Sequence, residues 1–398
     1  MPQSTRAAAN NPDAEQQQAT SCDGLLARLQ QRARGAVDAP PPCSLRVPIA
    51  AYTDPQRLQR EVDRLIHRYP QVIGHATQIP EPGDALVYDW LGLPLVTLRD
   101  KAGAIATFLN VCRHRGMRLL QNEGQASVRS LVCPYHQWTY GLDGQLRNIP
   151  RAESFCDIDP ADFNLVALPT EVRHGLIWVQ ATPGDHMDLD SHLAGLGRDF
   201  DDFQLGDYHF CRQSVKDIAC NWKLVQDAFL DGYHVVRLHK KTVGPFFPDA
   251  LAETSVHGRH IRSAVARNTL LDDLALAPEA LDRRHHATFS YTLFPNMVLI
   301  FHPEYTSVIS LFPQAPDRTL FVHNMLTPRA PASEQERDHF ERSFELIDKG
   351  VFEAEDIFVS VGAQKGFASG ANDSLLFGAL EQPAVQFHQF VEAALGEG

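Results

Sequence analysis

Cys112-Arg113-His114-Arg115-Gly116, followed further along by Cys133-Pro134-Tyr135-His136-Gln137-Trp138, is the stretch on which the reading of this chain turns. Each segment offers one thiolate and one imidazole. Two of each can close a tetrahedral zinc site, or hold a [2Fe-2S] cluster with cysteines on one iron and histidines on the other. Zinc sites usually draw their ligands as like pairs, C-x₂₋₄-C and H-x₃₋₅-H. One sulfur and one nitrogen per loop suits the two-iron cluster, with Cys112, His114, Cys133 and His136 as its ligands. Neutral imidazoles in place of two thiolates raise its potential above that of an all-cysteine cluster.

A second set lies beyond it: Asp231-Gly232-Tyr233-His234, then His239. On a helix, Asp231 and His234 share a face. His239 would point about 140° away from His234 on an unbroken helix, so the spacing predicts an end or bend near Val236. Two histidines and a carboxylate on one side of a metal leave positions open for dioxygen, the logic of non-haem Fe(II) oxygenases. The carboxylate comes from Asp231 or from elsewhere; spacing does not choose.

With Thr139-Tyr140 and Leu142-Asp143-Gly144, the first stretch resembles the Rieske domain of the terminal oxygenase (alpha) subunits of Rieske non-haem iron aromatic-ring-hydroxylating oxygenases. The resemblance continues through Asn221-Trp222-Lys223, Asp231 to His239, Phe294-Pro295-Asn296 and Glu355-Asp356, covering most of the chain from about residue 45. It implies an α+β protein: an all-β Rieske domain plus a helix-on-antiparallel-sheet (helix-grip, START-like) catalytic domain. It assigns iron to His234, His239 and a late aspartate, best matched by Asp356, with Glu353 and Glu355 as neighbouring competitors. Asp231 becomes an inter-subunit bridge to a cluster histidine, His136, across a ring-shaped trimer. The chain is short for members that require a beta subunit, so a homotrimer is expected. Where relatives often carry Glu-Asn-Phe, this chain reads Gln226-Asp227-Ala228-Phe229, which places Asp227 as an expected neighbour of the iron or its ligands. Tyr233 reads as packing or a hydroxyl near the site, and Asn221 as a helix cap or a site residue.

No C-x₄-C-x₂-C ferredoxin spacing and no G-x-G-x-x-G fingerprint occurs, so electrons from NAD(P)H are expected to arrive through a separate reductase, with or without a ferredoxin. The formal charge of −13 over 398 residues argues against nucleic-acid or anionic-membrane partners. Arg113, Arg115, Arg118, Arg129, Arg147 and Arg151 nevertheless form a locally basic skin around the cluster loops, suited to an acidic electron donor or to a solvated face. Seven cysteines do not suggest a disulfide framework. Without an apolar run of membrane-spanning length, a cytoplasmic setting is expected.

Residues 1–42, rich in Ala, Gln, Asn and Pro, read as a flexible leader with a short helical suggestion at Leu25 to Leu29. Residues 43–70 read as a helical arm opened by Asp54-Pro55, 71–180 as the Rieske domain of short strands and 181–398 as the catalytic domain. In the last, a helix from Asn221 to His234 precedes a loop-rich stretch from Lys240 to Arg284, four strands and a long helical region capped at Ser333.

The leading function is hydroxylation of an aromatic or other small organic molecule using O2, as in aromatic hydrocarbon catabolism. Oxidative N- or O-demethylation is the alternative, and a non-catalytic Rieske electron carrier the rival of a different class. The Lys240 to Arg284 stretch, with His257, His260, Arg262 and Asn268, and strand residues near Phe289, Tyr291 and Phe301 are expected to line or cover the pocket.

Overall fold

The computed structural model describes residues 21–36 and 43–396. Within the expected leader, Cys22–Ala33 is a docked helix rather than flexible chain; residues 1–20 and 37–42 lie outside the described residues. Ser21 Oγ caps the helix by accepting from Gly24 N at 3.0 Å. Leu25, Leu26 and Leu29 are buried against Tyr291 and Phe289, while Arg28 and Arg32 each reach Glu253 at 3.0 Å. A helix this short is marginal alone and is held by the face it buries, which explains why composition suggested disorder.

The arm starts as an edge strand, Ser44–Pro48, paired antiparallel with Ser374–Gly378 near the other end of the chain. It then becomes helical from Pro55, where Asp54 Oδ1 accepts from Gln56 N at 2.8 Å. Between Gln71 and Val179 the chain is strand and turn. A five-stranded sheet is built from Ala167–Leu168, Ile105–Leu109, Leu95–Arg99, Asp84–Tyr88 and Gly124–Ser127, in that spatial order. A small sheet of Leu131–Val132, Thr139–Tyr140 and Leu146–Asn148 stands beside it and carries the second cysteine loop.

The second half is organised by a seven-stranded antiparallel sheet. Its spatial order is His209–Ile218, Arg318–Thr327, Thr306–Ala315, Met297–Phe301, Ala287–Leu293, His260–Ala266 and Ala252–His257. The last two strands form a hairpin inside the stretch expected to be loops; β-branched and polar residues alternate there around the tight Gly258 turn, whose φ is +58°. Helices cover one face: Trp222–Leu230, and a long helix from Glu334 to Phe367 whose middle, Leu346–Ile357, widens into π-helical turns. The α+β architecture is thus a strand-rich domain packed on a helix-on-sheet domain, joined where Trp90 stacks on Phe312 at 5.7 Å.

One buried ion pair ties the arm to the core helix. Glu61, wholly buried, accepts from Lys223 Nζ at 2.6 and 2.7 Å, from Trp222 Nε1 at 3.0 Å and from Arg57 Nε at 2.9 Å. Glu61→Ala would strand an ammonium and an indole N–H in the interior, at a cost of about 3–5 kcal/mol. Denaturant unfolding of the variant is expected to show that loss; a change below about 1 kcal/mol would mean that water reaches Lys223.

Candidate metal centres and active-site cavity

Both cysteine loops adopt the same turn. Gly116 N donates to Cys112 O at 3.0 Å and Cys112 N to Met117 O at 2.8 Å; Gln137 N donates to Cys133 O and Cys133 N to Trp138 O, each at 2.9 Å. The residue four places after each cysteine has positive φ, +74° at Gly116 and +60° at Gln137, which folds the loop back and turns its histidine toward its cysteine's side. The rings of His114 and His136 lie 4.7 Å apart, and His114 stacks on buried Trp138 at 4.8 Å. Tyr140 Oη meets Cys112 Sγ at 3.5 Å and accepts from Arg113 N at 3.0 Å.

Burial, with the Cys133 thiol beside it, holds the Cys112 thiol above its ordinary range. Burial and the neighbouring His136 keep His114 below the usual imidazole value, so it is a neutral, ligand-competent base. His114 Nδ1 is buried without a hydrogen-bond partner. Among the described residues no three of these four donors come within 4.8 Å of one another, as ligands around one tetrahedral zinc would. Two buried thiols, two imidazoles and an orphaned ring nitrogen, spread more widely than one ion's reach, fit a two-iron cluster.

The second set converges from two elements. The core helix ends at Leu230, earlier than the bend expected near Val236; Asp231 is extended, and a separate turn, Val235–Leu238, carries His239 at its end. Gly244 N closes on His239 O at 2.9 Å, and a Cβ at Gly244 would sit 2.7 Å from that oxygen, so only glycine permits the turn. Asp356 arrives from the π-helical part of the long C-terminal helix.

His234 Nε2 and His239 Nε2 are 3.2 Å apart, and Asp356 Oδ1 lies 3.5 and 3.3 Å from them. Three donors at right angles around an ion with ~2.1 Å bonds would stand ~3 Å apart. Asp356 Oδ1 is buried with no hydrogen-bond partner, as expected of an oxygen reserved for a cation. Burial works against protonating His234, yet Asp231 and Asp356 outweigh it and push it up to about 9. His239 is likewise raised against the effect of burial, by Asp356 and Glu355, and Asp356 is lowered against burial by both imidazoles. A site whose field favours protons this strongly also favours a dication.

The flanking carboxylates separate clearly. Asp231 Oδ2 is 3.5 Å from His234 Nδ1, while its Oδ1 accepts from Tyr233 N at 2.6 Å. Glu355 accepts from Thr242 Oγ1 at 2.7 Å and meets His239 Nδ1 at 2.8 Å, orienting that ring from behind. Glu353 pairs with Lys216 at 2.6 Å. Asp227, expected beside the iron or its ligands, instead hydrogen-bonds Tyr52 Oη at 2.7 Å and His388 Nε2 at 2.8 Å, locking the core helix to the arm and the last helix. Asn221 caps the helix by accepting from Lys223 N at 3.1 Å and donates to Tyr52 O and Pro316 O, both at 2.9 Å.

The triad opens into a cavity of about 530 Å³, mostly apolar, to which Tyr233 contributes. The expected Lys240 to Arg284 stretch does line it, through Phe246, Phe247, Ala250 and Arg267 among others, but none of His257, His260, Arg262, Asn268, Phe289, Tyr291 and Phe301 does. The sheet turns the other side inward: Ser263, Val265, Thr288, Ser290, Ile300 and His302 face the cavity, whereas Arg262, Phe289, Tyr291 and Phe301 face the core beneath the N-terminal helix. Strand alternation fixes two faces but does not say which is inward.

A Rieske [2Fe-2S] domain model matches residues 69–169, and a model for the catalytic domain of the ring-hydroxylating alpha subunit matches 205–397. The chain belongs to the Rieske ring-hydroxylating oxygenase family. Its Rieske cluster and mononuclear iron are the cofactors that the two donor sets fit. Among curated relatives, the chlorobenzene dioxygenase alpha subunit of Cupriavidus sp. (strain PS12) is 35% identical over 46% of this chain and 42% of its own length. The benzene 1,2-dioxygenase alpha subunit of Pseudomonas putida is 30% identical over 66% and 57%. The chain thus spans about half the length of these relatives. Choline monooxygenase of Arabidopsis thaliana is 26% identical over 86% of this chain and 81% of its own. A quaternary ammonium Rieske monooxygenase superposes with TM-score 0.76 at 18% identity, covering 94% of this chain and 99% of that one.

Proposed function

We infer that this chain is the terminal oxygenase component of a multicomponent system: electrons from a separate reductase, with or without a ferredoxin, and dioxygen are used to hydroxylate a small organic molecule. The observation that carries the reading is the His234–His239–Asp356 set, with donors 3.2–3.5 Å apart, at the wall of an apolar cavity. An electron carrier needs only the cluster loops and has no use for it.

Cys112, Cys133, His114 and His136 would hold the cluster, and His234, His239 and Asp356 the iron, which supplies reductive activation of dioxygen when bound. The protein's own contribution is then definite. Glu355 fixes the tautomer and orientation of His239, Asp231 places a carboxylate 3.5 Å from His234 Nδ1, and the apolar walls exclude bulk water from the reacting face. Each dioxygen takes two electrons and two protons when one oxygen atom enters the substrate and the other leaves as water.

The match to choline monooxygenase over most of both chains favours monooxygenation over dihydroxylation; a homotrimer without a beta subunit is part of this proposal. Demethylation remains the second reading on the same ground, and formaldehyde released with consumed substrate distinguishes it. Asp231 is assigned to bridging to the partner subunit's His136; inter-subunit electron transfer is described for the quaternary ammonium monooxygenase of this fold. Of the basic residues around the cluster loops, Arg118 is taken by Asp89 at 2.7 Å, Arg147 by Asp143 and Arg151 by Glu153 at 3.5 Å. That leaves Arg113, Arg115 and Arg129, with exposed Tyr135 and Val132, as the donor-docking face. Among the described residues no helix is long and apolar enough to cross a membrane; a cytoplasmic setting is part of this proposal.

Metal and acid-labile sulfide analysis with EPR on anaerobically purified protein tests the reading. About three irons and two sulfides per chain are expected, one cluster plus one mononuclear site. Zinc without sulfide would overturn it, and two irons that stay at two after Fe(II) reconstitution would reduce the protein to an electron carrier.

A further inference from the structure

Among the described residues, one cation that lines the cavity has no carboxylate to answer its charge. Two arginines line it. Arg32 is neutralised by Glu253 at 3.0 Å. Arg267, half-buried at the end of strand His260–Ala266, has no carboxylate partner among the described residues. Its guanidinium stands 5.6 and 5.5 Å from the ring centres of Phe246 and Phe247, and its one side-chain hydrogen bond is a long one, 3.5 Å, to Thr288 Oγ1. Burial lowers its pKa somewhat, the mark of a charge held away from water without a counterion.

Its surroundings are built for an anion. His302, pushed down to about 3 by burial, the nearby His323 and the Arg267 and Arg284 charges, stays neutral. Tyr305 lines the same cavity, and among the described residues its hydroxyl has no hydrogen-bond partner. The lining carboxylates are already committed: Glu253 to two arginines, and Asp231 and Asp356 to the triad. A guanidinium fork with free donors, pinned by two aromatic rings, matches a carboxylate in geometry and charge, and the remaining walls are apolar.

We propose that the substrate is an organic carboxylate with an apolar, aromatic or alicyclic body, whose carboxylate is gripped by Arg267 with the Tyr305 hydroxyl as second donor. This deepens the oxygenase reading by naming a substrate class. It disfavours both uncharged hydrocarbons and quaternary ammonium compounds, which would leave Arg267 unanswered or repelled.

The test is a binding experiment on the metal-loaded protein, without turnover, so its failure is separable from failure of the oxygenase reading. Benzoate, 4-isopropylbenzoate, 2-naphthoate and 4-phenylbutyrate are titrated calorimetrically against their carboxamides, with choline as the cationic probe. At least one acid is expected to bind about 10- to 100-fold more tightly than its amide, the range of a charge-assisted hydrogen-bonded pair. R267Q should abolish that preference, weakening the acid far more than its amide; R267K should keep part of it. The cluster spectrum and thermal midpoint report that the variants are folded. No acid preferred over its amide, tighter binding of choline, or a preference surviving in R267Q would overturn the proposal; the last would mean that the carboxylate ligates the metal instead.

Discussion

Asp356→Ala is expected to empty the mononuclear site while sparing the cluster. Iron should fall from about three to about two per chain with sulfide unchanged at about two, and turnover should drop about 10³-fold or more. Among the described residues Asp356 is the one carboxylate within reach of both imidazole Nε2 atoms, and its Oδ1 has no other partner. Glu355, the neighbouring candidate, is occupied with Thr242 and His239 Nδ1. Glu355→Gln should therefore keep iron but weaken its binding about 10- to 100-fold, as loss of a group that orients a ligand does. If Glu355→Gln were the variant that lost iron and Asp356→Ala retained it, the ligand assignment would be reversed.

Asp231→Ala is expected to separate iron binding from iron reduction. Asp231 touches His234 on the nitrogen facing away from the triad, Nδ1 at 3.5 Å, and its side chain remains about one-fifth exposed at the surface. Such a group can hydrogen-bond a histidine on both sides of a subunit boundary. The variant should therefore retain about three irons per chain. The cluster should still be reduced by the donor, yet its reoxidation in the presence of substrate and dioxygen should slow about 100-fold or more. Rapid-mixing absorbance of the reduced cluster measures this directly. Unchanged reoxidation would remove Asp231 from the electron path, and loss of iron would make it a ligand.

The candidate ligands of both centres were legible because chemistry constrains residue type and spacing more tightly than packing does. Cys112, His114, Cys133 and His136 can be read as a cluster set from four positions, and His234 with His239 as a metal pair once the first set is in view. The α+β architecture followed from strand-length apolar runs and the capped helix at Ser333. Asp356 needed the resemblance to single it out, because a carboxylate on a helix far along the chain carries no local signal; only folding brings it within 3.5 Å of His234.

What the sequence left undetermined depends on which face of an element finds a partner. The Cys22–Ala33 helix has the composition of a leader and becomes ordered only where Leu25, Leu26 and Leu29 meet the sheet. Asp227 sits only seven residues before His234 in sequence, yet the helix points it at Tyr52 and His388. The pocket reading found the right stretch and strands but missed the inward side chains by one residue: the sheet sent Phe289, Tyr291 and Phe301 to the opposite core while turning Thr288, Ser290 and His302 inward. Local patterns in the chain decide the chemistry it can hold and the periodicity of its elements. Long-range packing decides which side of each element faces the iron, because burial free energy belongs to the pair of surfaces and not to either one alone.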